Sequence, residues 1–147
     1  MNVRQTLADS IAETLSKAGV NRIFGIPGGG SSLDIIDAAA RADIEFVVCR
    51  TETAAAIMAA VTGELTGIPG VVLTGIGPGA ASVVNGIAYA SPERAPIVVI
   101  TDTHEDGAIA PPHQIFHQRA MFAPISKAQT RPPPDSRAPS PLHPSDR

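Results

Sequence analysis

Four short aliphatic runs constrain this chain more than any other feature: residues 22–26 (RIFGI), 44–48 (IEFVV), 70–74 (GVVLT) and 96–101 (PIVVIT). None sustains an alternation of apolar and polar residues, so each reads as a strand covered on both faces. Helical spacing fills the intervals. Leu7, Ile11 and Leu15 recur three or four apart with Ala8, Ala12 and Ala18 beside them, and Gly19 stands where a C-terminal cap belongs. Ser31 and Ser32 can cap a helix that carries Leu33, Ile35 and Ile36 as far as about residue 42. Residues 52–66 form an alanine-dense helix, and residues 79–90 another with Val83, Val84 and Ile87. Strand and helix in alternation predict an α/β fold, an open, mostly parallel sheet with helices on both faces. With 44% apolar residues, 3% aromatic and no Trp, its core must be aliphatic. Residues 102–121 are polar, contain Pro and His, and read as an irregular loop bordering a site.

The composition changes at Arg131. Residues 131–147 (RPPPDSRAPSPLHPSDR) hold six of the 14 prolines and one large aliphatic residue, Leu142. So little apolar surface cannot offset the entropy of ordering, and proline resists both helix and sheet. The expected organisation is one domain over 1–130 and a disordered Pro-rich tail over 131–147. A formal charge of −3 weighs against a nucleic-acid partner. No apolar run approaches the roughly 18–20 residues that cross a bilayer, and the N-terminus reads as an amphipathic helix rather than a signal peptide. A single cysteine, Cys49, excludes an internal disulfide and an all-cysteine zinc site. No cluster of His, Cys and acids with metal-ligand spacing occurs. A cytoplasmic protein without membrane attachment is expected.

Ligands of open parallel sheets gather beyond the carboxyl ends of the strands. Three segments stand there: Gly25-Ile26-Pro27-Gly28-Gly29-Gly30, Arg50-Thr51-Glu52 and Gly75-Ile76-Gly77-Pro78-Gly79. One glycine cluster serves a tight turn; two at the same edge point to a ligand that approaches the backbone. Glu52 lies where strand gives way to helix, next to Ala54-Ala55-Ala56, so small apolar neighbours would partly desolvate it. An acid that complements a helix N-terminus explains the same position. Gly75-x-Gly77-x-x-Ala80 formally matches a dinucleotide fingerprint, with Asp102 placed to hold a ribose, although Pro78 interrupts it and it follows the third strand instead of the first. Cys49 and His113 border these loops and read as a core cysteine and a solvated histidine.

Taken in order, the segments resemble the pyrimidine-binding domain of thiamine diphosphate enzymes, the acetolactate synthase and 2-oxoacid decarboxylase superfamily. The matching residues are Phe24-Gly25-Ile26-Pro27-Gly28-Gly29, Arg50-Thr51-Glu52 with Ala55-Ala56-Ile57-Met58-Ala59, and Thr66-Gly67-Ile68-Pro69-Gly70-Val71. They continue with Gly77-Pro78-Gly79, Asn85-Gly86-Ile87-Ala88, Ala95-Pro96-Ile97-Val98-Val99-Ile100-Thr101 and Pro124-Ile125-Ser126-Lys127. The resemblance covers nearly all of residues 1–130. It implies that Glu52 is catalytic, its carboxyl bonding ring nitrogen N1′ of the cofactor's aminopyrimidine so that the thiazolium carbon can be deprotonated for attack on a 2-oxoacid. It further implies that Pro78 and Ser82 line the pyrimidine, that the Gly28 and Gly29 backbone faces the reacting centre, and that Gln114, thirteen residues before Lys127, is a substrate-side polar group.

Two positions depart from the family pattern. Thr51 stands where a histidine is common, and Ser82 where an asparagine is common. The family also anchors the diphosphate through Mg²⁺ in a separate domain with a Gly-Asp-Gly run and a later Asn, and no Gly-Asp-Gly run occurs here. The resemblance therefore implies half an active site, completed by a diphosphate-binding domain in a homodimer or a heteromer. The chain is then either one subunit of a divided enzyme or a fragment inactive by itself. A non-catalytic module dimerising through the Ala- and Gly-rich helices 52–66 and 79–90, and an NAD-type binder using Gly75–Ala80, are the competing expectations. The same small residues would equally serve tight packing on the sheet.

Overall fold

The computed structural model describes residues 5–103, 113–114 and 117–132. Its elements run α1 (Leu7–Lys17), β1 (Arg22–Gly25), α2 (Ser32–Arg41), β2 (Glu45–Val48), α3 (Glu52–Thr66) and β3 (Gly70–Thr74). They continue with α4 (Pro78–Ser82), α5 (Val84–Glu93), β4 (Ile97–Thr101), α6 (Gln118–Phe122) and a 3₁₀ turn, Ala123–Ile125. The four strands are all parallel in the order β2-β1-β3-β4, with Phe24 opposite both Val47 and Val72, and Val72 opposite Val99. This is the α/β sheet expected from the sequence.

Local chemistry sets the helix ends. Thr6 and Asp9 form a reciprocal capping box at α1: the Asp9 N–H donates to Thr6 Oγ1 at 3.1 Å, and the Thr6 N–H donates to Asp9 Oδ2 at 2.9 Å. Arg41 Nη2 at the far end of α2 donates to Asp9 Oδ1 at 2.6 Å and ties the two helices together. That hydrogen bond, followed by those from the Thr6 backbone and hydroxyl, holds the Asp9 carboxyl well below the ordinary aspartate value. Gly19, in left-handed conformation, follows α1 as expected.

Each sheet face carries its own core. On one, α1 and α2 press Ala8, Ala12, Ile35, Ala38 and Ala39 against Ile23, Val71 and Leu73. On the other, α3, α4 and α5 press Ala55, Ala56, Ala59, Ala80, Val83 and Ile87 against Phe24 and Val72, with Phe122 closing the edge. The small residues of α3 and α5 serve this interior: a side chain on Gly86 would collide with the Ala56 methyl group. Close approach there lies within the chain, between its own helices.

Four details differ from expectation. Only β3 is buried at every position; β2 and β4 are the outer strands, partly open to solvent, with Val48 69% exposed. Residues 79–90 do not form one helix. α4 ends at Ser82, whose carbonyl accepts from Thr53 Oγ1 at 2.6 Å, and α5 continues past Pro92 to Glu93. Gln118–Phe122 is a helix inside what reads as loop. Ser31 occupies the N-cap position of α2 without capping it. The remainder of that loop, 104–112 and 115–116, and the Pro-rich tail from 133 onward lie outside the described residues. Among the described residues no helix is long and apolar enough to cross a membrane.

Candidate functional site

The chain leaves β1 towards β2 on one side and enters β3 on the other, so a crevice opens beyond the carboxyl ends of β1 and β3, where such sheets bind ligands. A cleft of about 600 Å³ occupies that place. Residues 26–31 after β1 wall one side, and Gly75, Ile76, Pro78 and Gly79 after β3 wall the other. Glu52 joins them from the start of α3, Asp102 and Thr103 from the end of β4, and His113 and Gln114 from the segment before α6.

The two glycine loops meet. A side chain on Gly28 would come within 3.0 Å of the Gly75 Cα and of Ser32 Oγ, and within 3.2 Å of Asp102 Oδ2. Ser32 Oγ accepts the Gly28 N–H at 3.1 Å, so the serine expected to cap α2 pins the loop instead. The Ser31 hydroxyl donates to Asp102 Oδ1. Asp102 is thus committed to the β1 loop, a role distinct from holding a ribose. Gly29 has nothing within 4 Å of where a side chain would start and faces open space.

Glu52 opens α3, behind an N-cap in which Thr51 Oγ1 accepts the Ala54 N–H at 3.1 Å. Thr51, the departure from the family pattern, therefore has a structural function here. Glu52 is half-buried in the cleft wall. A methyl group on Gly79 would sit 2.9 Å from Thr74 Oγ1 and 3.4 Å from Glu52 Oε1, so the glycine leaves a notch shared by these two oxygens.

The β3 loop is held from outside the cleft. Gly77 turns at φ +61, and a side chain there would strike the Gln114 carbonyl. Its N–H donates to Gln118 Oε1 at 3.2 Å, while Gln118 Nε2 donates to Thr101 Oγ1 at 3.2 Å and to the Asp102 carbonyl at 3.0 Å. Buried Gln118 therefore joins the loops after β3 and β4.

Of the expected site residues, Gly28, Gly29, Glu52, Pro78 and Gln114 share the cleft, with Gln114 exposed at its rim. Ser82 does not line it: its hydroxyl turns back to the Pro78 carbonyl at 2.9 Å. His113 is exposed in the cleft wall, and Cys49 sits half-buried with its sulfur 3.9 Å from Met58 Sδ. Thr74 and Gln118 were not singled out. The first had a signal, a hydroxyl closing an otherwise aliphatic strand; the second had none, because its value lies in two loops that it meets only in the fold. A second hollow of about 450 Å³, walled by Arg119, Lys127, Gln129 and their neighbours, includes none of the glycine-loop residues.

Residues 5–123 match the family model of the thiamine pyrophosphate enzyme, N-terminal TPP binding domain. The chain is 36% identical over 127 residues to acetolactate synthase of Bacillus subtilis, covering 85% of this chain and 22% of that protein. It is 36% identical over 122 residues to the catabolic acetolactate synthase of Raoultella terrigena, with 82% and 22% covered. It is 30% identical over 125 residues to a probable 2-ketoarginine decarboxylase of Pseudomonas aeruginosa, again with 82% and 22% covered. The chain thus spans about a fifth of the length of these relatives. With the cleft at the switch point, its two glycine loops and its helix-borne glutamate, these matches make the chain a member of the thiamine pyrophosphate enzyme family, corresponding to its N-terminal TPP-binding domain.

Proposed function

We propose that residues 1–130 are the pyrimidine-binding half of a thiamine diphosphate-dependent lyase or synthase acting on a 2-oxoacid in the cytosol. The observation that carries this is Glu52, a half-buried carboxylate on the wall of a glycine-lined cleft of about 600 Å³. The residues present suit a flat aminopyrimidine. The notch at Gly79 leaves room beside the carboxylate, and Gly29 opens its backbone to the cleft. When bound, the cofactor supplies a carbon nucleophile and an electron sink for cleavage beside a carbonyl.

In this assignment Glu52 holds a proton shared with the pyrimidine edge, in surroundings where a charge-assisted bond is strong. Pro78 presses on the ring, the Gly28–Gly29 backbone borders the reacting centre, and Gln114 meets substrate at the rim. The 147 residues hold no Gly-Asp-Gly run, so the diphosphate and its Mg²⁺ belong to a domain outside this sequence. A dinucleotide site at Gly75–Ala80 is not favoured, because Pro78 starts a helix of only five residues there.

Calorimetry on the full chain tests this. Heat is expected with thiamine and none with NAD, and Glu52→Ala should weaken thiamine binding at least about tenfold, as loss of a hydrogen bond from a charged group does. Binding of NAD without thiamine, or affinity unchanged by Glu52→Ala, overturns the assignment.

A further inference from the structure

Thr74 is 0% exposed, and its Oγ1 is a buried side-chain oxygen without a hydrogen-bond partner among the described residues. Buried hydroxyls almost always find a partner, because leaving one unpaired costs its full desolvation. Thr74 closes β3, the strand buried at every position, so this oxygen is held by the most buried strand of the sheet. Glu52 is different: it opens a helix at the cleft wall, is only half-buried, and among the described residues no side-chain hydrogen bond fixes its carboxylate.

Both oxygens lie close to one point. The position of an absent Gly79 side chain lies 2.9 Å from Thr74 Oγ1 and 3.4 Å from Glu52 Oε1. We propose that Thr74 is a positioning residue for Glu52: a small turn of the half-buried Glu52 side chain brings Oε1 to accept from the Thr74 hydroxyl at the Gly79 notch and leaves Oε2 for the ligand. This rests on the assignment of Glu52 as the pyrimidine contact and adds what orients it. A hydroxyl donor suits the role because it satisfies one carboxylate oxygen without adding a competing charge. Glycine at 79 is then required by the site, since any side chain would occupy the path between the two groups.

A double-mutant cycle on the full chain tests the proposal, with Thr74→Val, Glu52→Leu and the double variant compared by denaturant unfolding. Coupling is expected to change the unfolding equilibrium at least about threefold relative to independent effects. Additive effects overturn it. Should Thr74→Val fail to fold, Thr74→Ser against Thr74→Ala carries the same cycle, one keeping the hydroxyl and the other not. Thiamine calorimetry supplies the second readout: Thr74→Ser should bind like the unaltered chain, and the hydroxyl-free variant at least about threefold more weakly, which a merely structural residue would not produce. A coupled cycle in a chain that gives no thiamine heat supports the Thr74–Glu52 bond and overturns the thiamine assignment. Thiamine heat with an additive cycle does the reverse.

Discussion

At the scale of single residues, the site is defined as much by missing side chains as by present ones. Gly79 and Gly29 both line the cleft, yet they make opposite predictions. Gly79→Ala forces a methyl group to within 2.9 Å of a Thr74 oxygen that is itself fully buried and cannot move aside cheaply. Overpacking of this kind costs about 1–3 kcal/mol, so the urea midpoint should fall and thiamine heat should disappear with it. Gly29→Ala meets nothing within 4 Å, and its stability should stay within about 0.5 kcal/mol of the parent. Unfolding curves of the two variants side by side decide whether the notch is a tight, specific feature. Equal curves would show that it is not. Glu52 stood out in the sequence through the family resemblance, because its position alone fits a helix N-terminal acid equally well. Thr74 offered only a hydroxyl at the end of an aliphatic strand, and its isolation appears only in the fold, where Gly79 of α4 lies against it.

Elements place these residues, and their boundaries follow local rules where local rules suffice. The strands were readable because continuous aliphatic runs have few alternatives, α1 because Leu7, Ile11 and Leu15 recur at helical spacing, and α3 because its alanines are dense. The break between α4 and α5 was not readable, since it accompanies a tertiary bond from Thr53 to the Ser82 carbonyl. Nor was the exposure of β2 and β4, which depends on strand order rather than on any one strand. Gln118 is the tertiary counterpart of a cap. Gln118→Leu keeps the volume but leaves the Gly77 N–H and Asp102 carbonyl without their buried partner, a loss of about 1–3 kcal/mol. Hydrogen exchange at Gly77 should accelerate in that variant while exchange in α1 stays slow; uniform acceleration would mean global unfolding instead. The link between α1 and α2 carries a pH signature. Because Asp9 is held below its ordinary value in the folded chain, its contribution is complete above the unfolded value near 4 and is lost as pH falls towards the lower folded value. The urea midpoints of the parent and Asp9→Ala should therefore differ at pH 6 and converge as the pH drops below about 4. A gap constant down to pH 2 would rule out the Arg41 pairing as its source.

For the whole molecule, two aliphatic cores support one sheet, and under the proposed function the cleft at its edge is one half of an active site. The fold and the cleft that gathers the glycine loops with Glu52 were legible because they are written in this chain's own residues. The proposed diphosphate side has only the lack of a motif to mark it, and the chain spans 22% of each relative. The helices also leave Ile57, Met58 and Leu65 of α3 and Tyr89 of α5 outward, with Leu65 82% exposed. Their small residues are already used inside the chain, so association would rely on these large ones. Complementation is the matching experiment: the full chain is mixed with a polypeptide carrying a Gly-Asp-Gly diphosphate domain, Mg²⁺, thiamine diphosphate and pyruvate as the probe. Release of CO₂ should require both polypeptides. Glu52→Gln, which keeps the shape of the side chain and removes its acid, should lower the rate by about 10²–10⁴-fold. Met58→Lys with Leu65→Lys should reduce complementation at low protein concentration and recover it at high concentration, because it weakens association and leaves the cleft intact. Loss that no concentration restores would instead place α3's outer face in the chemistry, and a rate indifferent to Glu52 would remove the carboxylate from it.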